Sequence, residues 1–148
     1  MTSRKSYAID AATGLIKRAA AQAAVTADAY IGTQHNQGAA TATDMVLVLN
    51  VESIVTNGAT GETYKLYIIG SNVADRSDGE VLGVAFLGKA SQLTGSQETR
   101  DSAAGDRLVV PFRTEKNRTR FQYVDLYIDV AGTAPSIAFN AYLSKEIC

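Results

Sequence analysis

The chain predicts an all-β fold, an antiparallel sandwich or barrel that follows an N-terminal arm. Three observations carry this. Alternating apolar and polar residues recur in short stretches from about residue 44 onward. Several of these stretches are separated by Gly/Asn/Asp/Ser clusters, which favour turns because they accept positive φ at little cost. No strong helical period follows residue 30. The length of 148 residues suits one domain, able to bury roughly 70% of its unfolded surface.

Residues 1–40 are rich in Ala, Thr, Ser and Gln and poor in large apolar residues. "GLIKRAAAQAAV" suits a helix, since Ala is the strongest helix former and Thr13 is an acceptable N-cap. "AAVTADAYIGT" instead reads as extended chain leading to a first strand around residues 25–31. Residues 1–24 are therefore expected to be an arm, partly helical or extended, and residues 25–148 the β domain. "QHNQGAATAT" reads as a polar loop.

The elements then follow in order. "MVLVLNVESIV" sets Leu47, Leu49 and Val51 against Val48, Asn50 and Glu52, and "TNGATGE" is a turn. In "TYKLYIIGSN", Tyr64, Leu66 and Ile68 oppose Lys65, Tyr67 and Ile69. "VADRSDGE" is a loop, "VLGVAFLG" a strand broken by glycine, and "KASQLTGSQETRDSAAGD" a long polar excursion. "RLVVPF" contains Pro111, which cannot donate to a ladder and so marks an edge strand or a bulge. "RTEKNRTR" is a charged turn before "FQYVDLYIDV". "VAGTAP" is another turn, and "SIAFNAYLS" closes the series with Ile137, Phe139, Ala141 and Leu143 inward.

The stretch "FQYVDLYIDV" poses the functional question. One face carries Val124, Leu126, Ile128 and Val130, a core surface. The other carries Phe121, Tyr123, Asp125, Tyr127 and Asp129. Seven tyrosines occur without a single tryptophan, and Tyr67, Tyr123, Tyr127 and Tyr142 all fall opposite aliphatic core positions. An exposed sheet face normally carries Thr, Lys, Glu or Ser. Tyr with Asp and Arg is instead the composition of a protein–protein contact. The competing explanation is that strand-favouring tyrosines simply cover an exposed sheet. The basic run Arg113, Lys116, Arg118 and Arg120 beside Phe121 is either a charged hairpin turn, a nucleic-acid track or part of the same interface. Arg113, Arg118 and Arg120 are taken as interface candidates with the tyrosines.

Catalytic chemistry finds no foothold. His35 is the sole histidine, in a Gln/Asn/Gly stretch, and Cys148 is the sole cysteine, at the last position. That excludes an intrachain disulfide and makes a poor metal site. "DRSDGE" lacks the alternating ligands of a calcium loop. No enzyme activity, cofactor or metal is expected. The net charge of −1 gives no support to direct nucleic-acid binding. Residues 1–27 are nonetheless cationic, with Arg4, Lys5, Lys17 and Arg18 against Asp10 alone. No apolar run approaches the ~20 residues that cross a bilayer, so no membrane association is expected. The N-terminus has no compact apolar stretch before a cleavage site, so a secretory leader is not expected and an intracellular, reducing origin fits.

The chain also resembles the capsid cement, or decoration, proteins of tailed bacteriophages of the jelly-roll type. The carrying stretches are "RAAAQAAVTADAYIGT", "LVLNVESIV", "YKLYIIGSNV", "VLGVAFLGKASQL", "GDRLVVPFRTEKNRTRFQYVDLYIDV" and "SIAFNAYLSK". They cover nearly the whole chain as a layout of arm, strand pair, long polar loop and paired closing strands. The resemblance implies a jelly-roll-like antiparallel β-sandwich and a homo-dimer or homo-trimer. Such a protein is made in the host cytoplasm and placed on the outer capsid surface of the virion. There it bridges copies of the major capsid protein and resists internal DNA pressure. The arm, with Arg4, Lys5, Lys17 and Arg18, would contact the capsid and gain order on binding. The alternative class is a carbohydrate- or receptor-binding β-sandwich module that stacks sugars on the tyrosine face.

Overall fold

The computed structural model describes residues 15–57, 60–93 and 99–145. Among these residues nine strands run in chain order as β1 (Ile16–Arg18), β2 (Ala29–Thr41), β3 (Asp44–Ile54), β4 (Thr63–Ser71), β5 (Glu80–Gly88), β6 (Arg107–Arg113), β7 (Glu115–Lys116), β8 (Thr119–Ala131) and β9 (Ile137–Lys145). One 3-10 turn at Ala90–Gln92 interrupts the connection after β5. The strands form two antiparallel sheets, ordered β1-β9-β3-β6 and β2-β8-β4-β5, with β7 pairing the start of β8. The order is that of a jelly roll. The chain changes sheet at most connections, remaining in one sheet through β4–β5 and into β8 from β7.

The sequence alternation explains the core between the sheets. Leu47, Leu49 and Val51 of β3 and Ile137, Phe139, Ala141 and Leu143 of β9 face Tyr64, Leu66 and Ile68 of β4 and Val124, Leu126 and Ile128 of β8. All are almost wholly buried. A fully buried aliphatic or aromatic side chain of this size contributes about 2 kcal/mol over its exposed form. Pro111 lies on β6, at the edge of its sheet, where the missing N–H leaves no ladder bond unmade. The charged turn before β8 closes tightly through Asn117 and Arg118, both at positive φ (51° and 67°).

Two stretches differ from the sequence reading. "QHNQGAATAT" is not all loop, because β2 continues through Thr41. Its polar composition suits an edge strand, and its pairing with β8 shifts register twice, so the apolar alternation that marks other strands is lost. His35 accordingly sits in β2 opposite Val124 and not in a loop. The second difference is the arm. Ile16–Arg18 form β1, paired with β9, and the Leu15 carbonyl accepts the Leu143 N–H at 2.8 Å. Leu15 joins the main core. The sandwich thus takes in residues from 15 onward that the boundary at residue 24 assigned to the arm. At Gly32 (φ +74°) β1 and β2 approach so closely that a Cβ would collide with the Lys17 carbonyl.

Candidate protein-binding face

Register places three tyrosines in one row across the outside of the second sheet. Tyr30 of β2 pairs with Tyr127 of β8, and Tyr127 pairs with Tyr67 of β4. Val84 of β5 extends the row. Tyr30 and Tyr127 meet edge to face, with ring centroids 5.0 Å apart and planes at 64°. Tyr30 is 45% exposed, while Tyr67, Tyr123 and Tyr127 are half-buried. Tyr123 lies four residues before Tyr127 along β8, opposite Ser71 and Asn36.

A charged clamp holds one side of this row. Asp125, only 3% exposed, receives Arg76 Nη2 on Oδ1 and lies 3.0 Å from Arg76 Nε through Oδ2. Gln34 Nε2 donates to the same Oδ2 at 2.8 Å. Arg76 belongs to the β4–β5 connection, adopts φ +63°, and stacks its guanidinium 4.1 Å over the Tyr30 ring. Tyr30 is thereby fixed between the Arg76 guanidinium and the Tyr127 ring. Behind it, Lys17 is 3% exposed, and its Nζ donates to the carbonyls of Thr33 (2.7 Å) and Val124 (3.1 Å). Burial pulls the Lys17 ammonium down to about 8, with Asp125 opposing that effect.

The far side of the row is acidic. Asp28 and Asp129 lie where β2 and β8 run side by side, next to the Ala29–Ile128 pair, and the Val130 N–H donates to Asp28 Oδ1 at 2.7 Å. Burial raises the Tyr127 phenol above its usual range, and the charges of Asp28 and Asp129 push it further.

The structure separates several residues that the sequence reading grouped. Tyr142 is on β9, in the other sheet, paired with Val48 and Ile16. It forms a small buried cluster with Val46 and Val48 on the opposite side of that sheet from the main core. Alternation tells inside from outside, but not which sheet an outward residue belongs to. Phe121 also leaves the tyrosine face: it is buried, its ring occupying the space a Cβ on Gly70 would need. Arg113 pairs with Asp44 at 3.1 Å and Arg120 with Glu115 at 3.4 Å, both at the surface, while Arg118 sits in the β7–β8 turn. Arg120 is seven residues before Tyr127 along β8, roughly 23 Å away, so these arginines do not border the tyrosine row. Arg4 and Lys5 lie outside the described residues. Lys17 is interior, and Arg18 Nε donates to the Phe139 carbonyl at 2.9 Å. Both belong to the edge of the sandwich.

Sequence reading missed Tyr30 and Arg76 as site residues. Tyr30 carried a signal, since it precedes the inward Ile31 in an extended stretch. Arg76 carried none, being one cation in a polar loop. In that loop the Asp75 and Asp78 carboxylates accept from the N–H groups of Ser77 and Asn72. Among the described residues no group of three or more His, Cys, Asp or Glu is placed to hold a metal.

No family model matches the chain, and no curated protein does. Among solved structures it is similar to the CBM22-1 and GH10 modules of the N-terminal endo-1,4-β-D-xylanase 10B of Clostridium thermocellum, crystallised with xylohexaose. Identity is 13% and the TM-score 0.38, over 88% of this chain and 21% of that one. The chain therefore spans about a fifth of that protein, and at this similarity the match bears on neither fold nor activity.

Proposed function

We propose that the chain is a non-enzymatic structural protein of the capsid-decoration kind, whose tyrosine-bearing sheet face is covered by another protein chain on the outer surface of a phage capsid. The observation that supports this is the row Tyr30–Tyr127–Tyr67, three tyrosines in register on neighbouring strands, the first two ring against ring, on a face the fold itself leaves half open. Aromatic rings fixed in place lose little entropy on contact and are the usual anchors of interfaces. The partners in this reading are the major capsid protein and further copies of the chain, as a dimer or trimer. Many such contacts on one shell add through multivalency, so no single contact need be strong. The capsid-contacting arm is confined to residues before Leu15, Arg4 and Lys5 among them, because β1 serves the sandwich.

The test is attachment to purified capsids by cosedimentation, with light scattering for self-association. The double substitution Tyr67→Ala/Tyr127→Ala should weaken attachment or association by about thirtyfold, a loss typical of central aromatic anchors, while the protein still unfolds cooperatively. A strict monomer whose double variant occupies capsids fully would overturn the reading. A carbohydrate-binding module is the second reading, supported by the exposed Tyr30 ring with Gln34 and Arg76 beside it. Tyr30-dependent retention on one glycan class, with attachment to capsids absent, would favour it.

A further inference from the structure

Asp28 and Asp129 are the least expected pair on the tyrosine face. Asp129 lies on β8 and Asp28 immediately before β2, beyond the Ala29–Ile128 pair, each two positions along from Tyr127 and Tyr30, and the charges of both reach the Tyr127 phenol. Like charges across neighbouring strands destabilise a sheet. Among the described residues neither carboxylate is in an ion pair. Lys65 is in register with Asp129 on β4 but forms no salt bridge with it there. The Val130 N–H holds Asp28 in place at 2.7 Å, against the residue that follows Asp129 on β8. The fold uses Asp28 as the acceptor for that N–H but draws no ion pair from either carboxylate among the described residues, and such local conflicts are characteristic of functional sites.

The neighbouring rings supply the other half of the argument. The Tyr30 ring already takes one cation on its face, the Arg76 guanidinium at 4.1 Å. That shows the ring is presented in a geometry suited to cation–π contact. Arg76 is committed to Asp125, and Lys65, though in register with Asp129, forms no salt bridge with it, so neither Asp28 nor Asp129 is in an ion pair among the described residues.

We infer that the corner formed by Tyr30, Tyr127, Asp28 and Asp129 receives an arginine or lysine side chain from the protein partner. The cation lies against the aromatic pair with its charge between the two carboxylates, and the tyrosine row beyond it forms the apolar part of the contact. Charge complementarity identifies the occupant as a basic protein segment. This inference rests on the proposal that the tyrosine face is a protein interface, and it adds what that partner must present.

The experiment uses the full chain and two small probes, N-acetyl-arginine methylamide and its neutral isostere N-acetyl-citrulline methylamide, followed by the ring-proton NMR signals of Tyr30 and Tyr127. The arginine probe should bind roughly fivefold more tightly than the citrulline probe, the increment of one surface cation–π contact. In the double substitution Asp28→Asn/Asp129→Asn the preference should vanish. The amide keeps an acceptor for the Val130 N–H, and unfolding in urea should show a protein as stable as the parent or more so. A role in folding alone would instead lower stability and leave the preference intact. Equal binding of both probes, or a preference that survives the double substitution, overturns the inference. Such a result, with attachment still lost in Tyr67→Ala/Tyr127→Ala, would leave the interface standing without its cation. Discrimination of the probes by a chain that attaches to no capsid would uphold the cation corner and remove the capsid reading.

Discussion

Tyr64 and Tyr67 lie three residues apart on β4, one on each face of the same sheet. Tyr64 is wholly buried, and its hydroxyl lies 2.9 Å from the Val55 carbonyl and 3.0 Å from that of Ser136 while accepting the Ser136 N–H at 2.8 Å. Tyr67 is half-buried in the row with Tyr127 and Tyr30, and no hydroxyl of those three is hydrogen-bonded to a described residue. The inner tyrosine is completed by the fold. The outer ones are positioned by the fold with their hydroxyls unpaired among the described residues, the pattern that the proposed interface requires.

The largest contrast is in stability. Tyr64→Ala removes a core ring and leaves the Ser136 N–H and two carbonyls without their hydroxyl, a loss of about 4 kcal/mol. Tyr67→Ala should cost less than about 1 kcal/mol in the same urea titration. Comparable losses at the two positions would erase the distinction between the faces. Next in size is the clamp: Asp125→Ala leaves Arg76 and buried Lys17 without their carboxylate, at a cost of about 3 kcal/mol. The Tyr30 ring signals should broaden in that variant, because Arg76 loses its anchor. Sharp Tyr30 signals would mean the ring is fixed by Tyr127 alone.

The smallest effect is a pH dependence. Folded Lys17 titrates at about 8 against 10.5 when unfolded. Between those values the unfolded chain binds more protons, so stability rises with pH. The gain should be about 2 kcal/mol from pH 8 to 9.5. Above pH 10 the trend reverses. Burial raises the phenols of Tyr64 and Tyr127 in the fold, so the unfolded chain ionises them first and stability falls as pH climbs. Lys17→Met should abolish the rise below pH 10 and keep the fall above it; a rise that persists in the variant would assign it to another group.

What the sequence disclosed follows from what alternation encodes. The inner rows of β3, β4, β8 and β9 were legible residue by residue, since burial on one face imposes period two. The second half of β2 was not, because an edge strand with two register shifts has no constant face to keep apolar. Tyr142 read as a neighbour of Tyr127 although β9 lies in the other sheet, a matter of strand order that no local pattern carries. Lys17 read as part of a capsid-contacting arm, and only the carbonyls of Thr33 and Val124 explain its place inside. Arg76 reaches Tyr30 and Asp125 from a loop, where spacing conveys no direction.

One element bears on how such a molecule is made. β9 lies between β1 and β3 and hydrogen-bonds to both. A ribosome therefore releases β3 with its apolar edge unmatched until the final strand emerges, roughly ninety residues of synthesis later. Assembly of that layer is governed by a contact distant along the chain, which makes it slow. The interval before closure is when the nascent protein is most exposed to strand exchange with its sisters.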